Sequence, residues 1–250
     1  PRADAEKGRL KLHRSRRDDA EIRASYLDEL AASPLAAAIS EGNVPWQYAD
    51  ARLISDDPAK GLARDKELPA IADSLLEALG KPEKDVFIVS PYFVPSKWGM
   101  AALRDLTANN VKVTVLTNSL RATDVAAVHS GYARYRKDLL NAGVELYEVK
   151  PDFAPPKIRD KGLTGSSATS LHAKTFVVDG KRVFIGSLNF DPRSARLNTE
   201  MGMVIDHAGI AGDMRQELEK ITPQYAYKVV MDKQRKRLRW QDPDRPDVLL

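Results

Sequence analysis

Leu171-His172-Ala173-Lys174-Thr175-Phe176-Val177-Val178-Asp179-Gly180-Lys181-Arg182-Val183-Phe184-Ile185-Gly186-Ser187-Leu188-Asn189 is the stretch on which the reading of this chain turns. His172, Lys174, Asp179, Gly186, Ser187 and Asn189 all fall within eighteen residues. LHAKTFVVD reads as a strand, and alternate side chains of a strand share a face. His172 and Lys174 are therefore expected on one side, with Leu171, Ala173, Thr175 and Val177 on the other. Asp179-Gly180, set between two apolar runs, is a hairpin-turn pair. VFIGS is then the returning strand, and it brings Ser187 and Asn189 beside the start of the first. An imidazole, an ammonium, a hydroxyl and an amide are the groups needed to hold and attack a phosphodiester without a metal. Asp179, directly before Gly180, is expected to form and anchor the turn rather than to act as an acid.

Working outward, an α/β rhythm starts at Lys66. Leu68, Ile71, Leu75, Leu76 and Leu79 fall at helical spacing, and Gly80 ends that helix. Asp85–Ser90 holds the buried-strand run VFIV. A helix to about Asn109, a strand over Val111–Thr117, a long helix closed by Gly143 and a strand over Val144–Val149 follow. Pro151–Ser170 is a long polar loop of the kind that is usually functional or mobile. After the motif hairpin come a strand over Thr199–Asp206, a helix bearing Ile210, Met214, Leu218 and Ile221, and a hairpin of YKVVMD and RLRWQD. The pattern predicts an α/β fold, a mixed sheet with helices on both faces. Residues 66–250 are expected to form that domain. Residues 1–65 read as a linker or the tail of a preceding domain, with a helix over Asp18–Ala38 and an irregular Gly42–Gly61.

The composition narrows the chemistry. Hydrophobic residues make up 43% of the 250, enough for a proper core. With no cysteine there is no thiol nucleophile and no cysteine-based metal site. The four histidines, at 13, 129, 172 and 207, form no ligand pair, so neither a metal nor another cofactor is expected. The net charge of +4 favours an anionic partner. Much of the excess lies near the ends, at Lys11, Arg14, Arg16 and Arg17 and at Lys233, Arg235, Lys236, Arg237 and Arg239. No apolar run approaches membrane-spanning length, and no signal peptide is visible.

The motif stretch resembles the HKD motif of the phospholipase D superfamily. Its continuation, Asp191-Pro192-Arg193-Ser194 and then Asn198-Thr199-Glu200, resembles the second motif of the bacterial cardiolipin synthases. Ser90-Pro91-Tyr92-Phe93-Val94-Pro95, Leu116-Thr117-Asn118-Ser119-Leu120, Ala122-Thr123-Asp124 and Val128-His129-Ser130-Gly131-Tyr132 look most like the type C branch of that family, its C-terminal half. The resemblance runs from about Trp46 to the C-terminus. It implies two HKD motifs facing each other, one histidine attacking phosphorus and the other serving as acid and base. On that pattern His172 is expected to be the acid/base, Lys174 and Asn189 to hold phosphate, and Ser187 to assist. Glu200 stands where the family has its orienting carboxylate, and Gly186 with Asp179 is structural. Tyr92, Phe93 and Arg193 are candidate substrate contacts, as are His129 and Tyr132, whose alternative is an ordinary, partly buried place in the helix.

The chain holds one His-x-Lys, so it is expected to supply half of a two-motif site. The other half belongs either to the same, longer chain, which the linker-like residues 1–65 favour, or to a second copy. The resemblance implies a peripheral enzyme of the bacterial inner membrane that transfers a phosphatidyl group between lipids, with phospholipid and an anionic membrane surface as partners. Phospholipid hydrolysis is the alternative, and a homodimeric nuclease a more distant one. Nucleic acid is not an expected partner, because aromatic and basic residues are not interleaved for stacking.

Overall fold

The computed structural model describes Asp28 and residues 33–44, 46–61, 71–151, 171–232, 235, 237–243 and 245–249. The N-terminal basic cluster, most of the helix expected over Asp18–Ala38, the start of the helix expected from Lys66, nearly all of the Pro151–Ser170 loop and most of the basic turn near 235 lie outside the described residues. The chain divides into two units. One holds helix α1, Pro34–Ser40; the other begins at Ala49.

The second unit is built on one mixed sheet. Its strands are β1 (Asp50–Ser55), β2 (Asp85–Val89), β3 (Lys112–Asn118), β4 (Glu145–Val149), β5 (Thr175–Val178), β6 (Arg182–Gly186), β7 (Met201–Asp206), β8 (Ala226–Asp232), β9 (Arg237–Asp242) and β10 (Arg245–Leu249). Among the described residues the spatial order is β1-β7-β6-β5-β2-β3-β4-β8-β9-β10. Only β2, β3 and β4 run parallel to one another. Every residue of β2 is buried, as a strand covered on both faces requires.

Alternation within the strands assigns the two cores. Val86, Ile88, Phe176, Val178, Phe184 and Val204 face one side with Ile71, Leu75, Met100, Leu103, Tyr132 and Leu139. These last come from helices α2 (Ile71–Leu79), α3 (Ser96–Ala108), α4 (Ala126–Ala133) and α5 (Arg136–Asn141). Phe87, Val89, Val177 and Val183 face the other side with Ala211, Met214 and Leu218 of α7 (Ala208–Tyr225). The expected mixed sheet with helices on both faces is the fold found. Among the described residues no helix is long and apolar enough to cross a membrane.

Three local expectations differ from the structure, and one helix was not anticipated. First, β1 lies inside the stretch 1–65 that reads as linker or tail, and it pairs antiparallel with β7 from Asp50↔Asp206 to Ser55↔Met201. As an edge strand it has one buried residue, Ile54, so DARLIS carries no alternation to read. Second, the single long helix predicted to end at Gly143 is two, α4 and α5, broken where Tyr135 N–H bonds the Tyr132 carbonyl three residues back. Third, the strand predicted over LHAKTFVVD starts only at Thr175, leaving His172 and Lys174 just before it. Fourth, a short helix α6 (Pro192–Arg196) follows the motif. Its signals were present in the sequence: Asp191 caps the N–H groups of Arg193 and Ser194, and Pro192 occupies the first turn.

Two glycines explain how the motif hairpin meets β7. Gly186 and Gly202 are opposite each other across β6 and β7. A Cβ on Gly186 would stand 2.5 Å from the Met201 carbonyl oxygen and 2.6 Å from the Phe184 ring. The absent side chains are the space Phe184 fills.

Candidate active site

The motif converges at one end of the sheet. The last residues of β2, β3 and β6, the entry to β5 and the entry to β7 are brought together by register: Val89↔Leu116, Val89↔Thr175, Thr175↔Ile185 and Gly186↔Gly202. The opposite end is tied by the turn. Asp179 and Gly180 have φ of 55° and 59°, both in the left-handed region, as a two-residue hairpin turn with right-handed strand twist demands. The Asp179 carboxylate accepts the backbone N–H groups of Glu83, Lys84 and Asp85, at 2.7–3.1 Å. These bonds tie the hairpin to the start of β2.

Burial works against ionisation of Asp179, but the N–H donors of Asp85, Lys84 and Glu83 outweigh it and, with Lys181, hold the carboxyl below its usual range. A folded-state pKa below the unfolded value stabilises the fold at higher pH. The extra stability of the parent over Asp179→Ala is therefore expected to be full above about pH 4, the ordinary Asp value, and to shrink as pH falls below it. Urea titrations of both proteins from neutral pH into acid measure this. A difference independent of pH would contradict the anchoring by charge.

At the site end, His172 is exposed and its ring has no hydrogen-bond partner among the described residues. Lys174 Nζ donates to the His172 carbonyl at 2.7 Å, so the lysine folds back over the backbone before β5. Burial lowers the Lys174 pKa, opposed by the nearby carboxylates of Glu200 and Asp124. Ser187 Oγ donates to Glu200 Oε2 and accepts the Met201 N–H at 3.0 Å. The other Glu200 oxygen accepts from Asn198 Nδ2 at 3.2 Å. The expected orienting carboxylate thus spends its bonds on Ser187 and Asn198, not on the His172 ring. Asn189 is nine-tenths buried; its Nδ2 donates to Ser194 Oγ at 3.5 Å and its Oδ1 has no partner among the described residues.

The upstream candidates separate. Tyr92 borders the site: its hydroxyl donates to both Asp124 oxygens, at 2.8 and 2.9 Å. Burial and that bond push its pKa up to about 12, so it stays a donor. Phe93 is in the core, stacked on Phe190 at 5.0 Å. His129 and Tyr132 take the alternative place, in a buried network. Arg136 Nη2 meets His129 Nε2 at 2.8 Å, and Tyr132 Oη donates to Glu148 at 2.9 Å. Burial, then Arg136, lowers the His129 pKa. Beside these two rings the structure leaves a cavity of about 10 Å³, no more than one water's space. Arg193 is exposed on α6.

The sequence reading missed the residues that hold the motif in place. Asn118, the last residue of β3, accepts the Leu171 N–H at 3.0 Å and donates to its carbonyl at 3.2 Å, fixing the backbone directly before His172. Ser90 Oγ accepts the Phe190 N–H at 2.9 Å, fixing the residue after Asn189. Asp56 is a buried carboxylate that accepts the Glu200 N–H at 3.0 Å and the Ile71 N–H at 2.8 Å, and it pairs with Lys60 at 2.7 Å. Asn118 sits in a quoted segment and could have been marked as a polar side chain closing a buried strand. Asp56 has no such signal, because apart from Lys60 its partners, Ile71 and Glu200, are 15 and 144 residues away.

The fold is a mixed sheet with helices on both faces, and His172, Lys174, Ser187 and Glu200 gather at one of its ends. A family model described as "Cardiolipin synthase, PLD-like domain" matches residues 75–222, more than half of the chain, and the chain belongs to that family. It is 48% identical over 204 residues to cardiolipin synthase C of Escherichia coli, an alignment covering 81% of this chain and 43% of that protein. It is 31% identical over 176 residues to cardiolipin synthase A of Pseudomonas aeruginosa, covering 70% of this chain and 32% of that one. The chain thus spans less than half the length of these curated relatives. Among solved structures, a phospholipase D family member, Nuc from Salmonella typhimurium, superposes with a TM-score of 0.50 at 15% identity, over 72% of this chain and 98% of that one. Phosphatidylserine synthase of Haemophilus influenzae gives 0.50 at 14%, over 71% and 39%. At such identities the likeness is one of fold.

Proposed function

We propose that this chain supplies one of two HKD motifs to a phosphatidyltransferase that makes cardiolipin-type lipid. The observation that carries the reading is the meeting of His172, Lys174, Ser187 and Glu200 at one sheet end, in a chain 48% identical to cardiolipin synthase C. The imidazole of the partner motif, in the other half, attacks phosphorus, and the bond from phosphorus to the leaving alcohol breaks. The leaving oxygen takes its proton from protonated His172. Neutral His172 then accepts the proton of the incoming hydroxyl, whose oxygen attacks phosphorus as the phosphorus–nitrogen bond breaks. An imidazole suits both tasks near neutral pH.

Lys174 offsets the charge on the phosphoryl oxygens. Exchanging the two ends of the Asn189 amide lets Oδ1 accept from the Ser194 hydroxyl and frees Nδ2 to donate to phosphate. Glu200 holds Ser187 and so sets the position of its hydroxyl. Exposed Leu53, Met203 and Ile185 lie in one cross-strand row on β1, β7 and β6. The row runs up to Met201 and Ser187, which supports a second half covering this surface. The enzyme works at the bacterial inner membrane as a peripheral protein, its phospholipid substrates drawn from an anionic surface.

The experiment is lipid turnover by size-fractionated monomer of this chain, alone and with the second half added in trans. The chain alone is expected to be nearly inactive, and addition to restore transfer. Full turnover by the monomer fraction would overturn the half-site reading.

A further inference from the structure

A cleft of about 530 Å³ opens beside the motif, lined by Pro192, Arg193, Arg196, Leu197 and Asn198. It carries two exposed guanidiniums that no carboxylate among the described residues neutralises. Among the described residues Arg196 has no hydrogen-bond or ion-pair partner, and Arg193 gives only a 3.4 Å bond from Nε to Asn198 Oδ1. The nearest carboxylate in sequence, Asp191, accepts the N–H groups of Arg193 and Ser194 on Oδ1 and forms no ion pair with either guanidinium. Elsewhere Arg52, Arg136, Arg182, Arg215 and Arg239 each pair with an acid, while exposed Arg104, Arg121 and Arg134 have no ion pair among the described residues. Two arginines left unpaired on one short helix amount to a standing demand for an anion.

The cleft is joined to the motif by hydrogen bonds. Asn198 takes the Arg193 bond on its oxygen and donates from its nitrogen to Glu200, which holds Ser187. An anion in the cleft therefore lies a few side chains from the group being transferred. If the proposed function holds, the transferred phosphorus already has Lys174 and Asn189. A second phosphate, carried by the acceptor, needs cations of its own. A guanidinium fork matches the paired oxygens of a phosphodiester. Leu197, 66% exposed on the same rim, offers the apolar contact that a glycerolipid backbone would use.

We propose that Arg193 and Arg196 form a second anion subsite, which takes the phosphodiester of an acceptor phospholipid and so favours it over a neutral alcohol. The inference rests on the transferase reading, and its test separates the two. In the active enzyme containing this chain and its second motif, Arg196→Ala is compared with the parent, once with an anionic glycerophospholipid acceptor in mixed micelles and once with glycerol. The variant should raise the KM for the lipid acceptor about tenfold, the loss of one charge-assisted bond. Transfer to glycerol should change less than twofold, and Arg196→Lys should recover part of the lipid KM. Equal losses with both acceptors, or none with either, would overturn the subsite.

A second measurement does not depend on turnover. Glycerophosphoglycerol, the water-soluble headgroup diester, is titrated calorimetrically into His172→Ala protein with and without Arg193→Ala/Arg196→Ala. Binding should weaken tenfold or more in the double variant, with inorganic phosphate weaker than the diester in the parent. Arg-independent binding of the diester, or phosphate bound as tightly as the diester, would refute the assignment. Should the parent enzyme transfer phosphatidyl to no acceptor, the function fails, and this titration alone still decides the cleft.

Discussion

Replacing His172 with alanine is expected to lower phosphatidyl transfer by at least about a thousandfold in the enzyme with both motifs, without loosening the fold. Members of a catalytic unit act together, so deleting one typically removes most of the rate. The structure separates chemistry from stability here. The His172 ring is exposed and without partners among the described residues, and only its carbonyl is used, by Lys174. Alanine keeps that carbonyl. Urea unfolding should thus superpose for the two proteins while turnover of labelled lipid differs by orders of magnitude. Lys174→Ala should show the same split, its own loss being the cation that balances the phosphoryl oxygens. A folded His172→Ala protein with near-parental transfer would refute the assignment.

The largest expected loss of stability comes from a residue far from the chemistry in sequence. Glu148 is 1% exposed and accepts from Tyr132, from Arg136 at 2.7 and 3.0 Å and from Trp240 at 2.8 Å. Arg136 also lies over the rings of Tyr132 and Trp240, 5.0 and 5.1 Å from their centroids. Arg136→Met keeps much of the bulk but leaves the carboxylate buried without its counter-charge, which costs about 3–5 kcal/mol. Arg136→Met/Glu148→Gln should recover a good part of it. Denaturant titration followed by circular dichroism reads both. A loss below about 1 kcal/mol would mean the pair behaves like an exposed one.

The two variants mark what could be read from the sequence. His172 and Lys174 were legible because their partners are near in sequence and the turn, glycine and serine between them are spaced by strand geometry. The buried strands were legible as apolar runs, since VFIV and VKVTVLT need no knowledge of their neighbours. Glu148 was not, because a glutamate in a strand reads as a solvated face until Arg136, Tyr132 and Trp240 come to it from three other segments. For the same reason His129 and Tyr132 stayed open between a headgroup pocket and an ordinary place in the helix; their polar atoms are used inside the protein. The edge strand β1 escaped because a strand with one buried residue leaves no period in the chain.

That edge strand has a practical meaning for anyone dividing the gene. A fragment starting at residue 66, where the α/β rhythm becomes visible, would keep every motif residue and still be a damaged protein. It would lack Asp56, so the Glu200 N–H and the first turn of α2 would lose their acceptor, and it would lack Lys60, which bridges Asp56 to the Ser194 carbonyl at 3.4 Å. Removing β1 would also turn β7 into a bare edge carrying exposed Met201 and Met203, an invitation to pair with other chains. The cut that respects the molecule falls before Ala49.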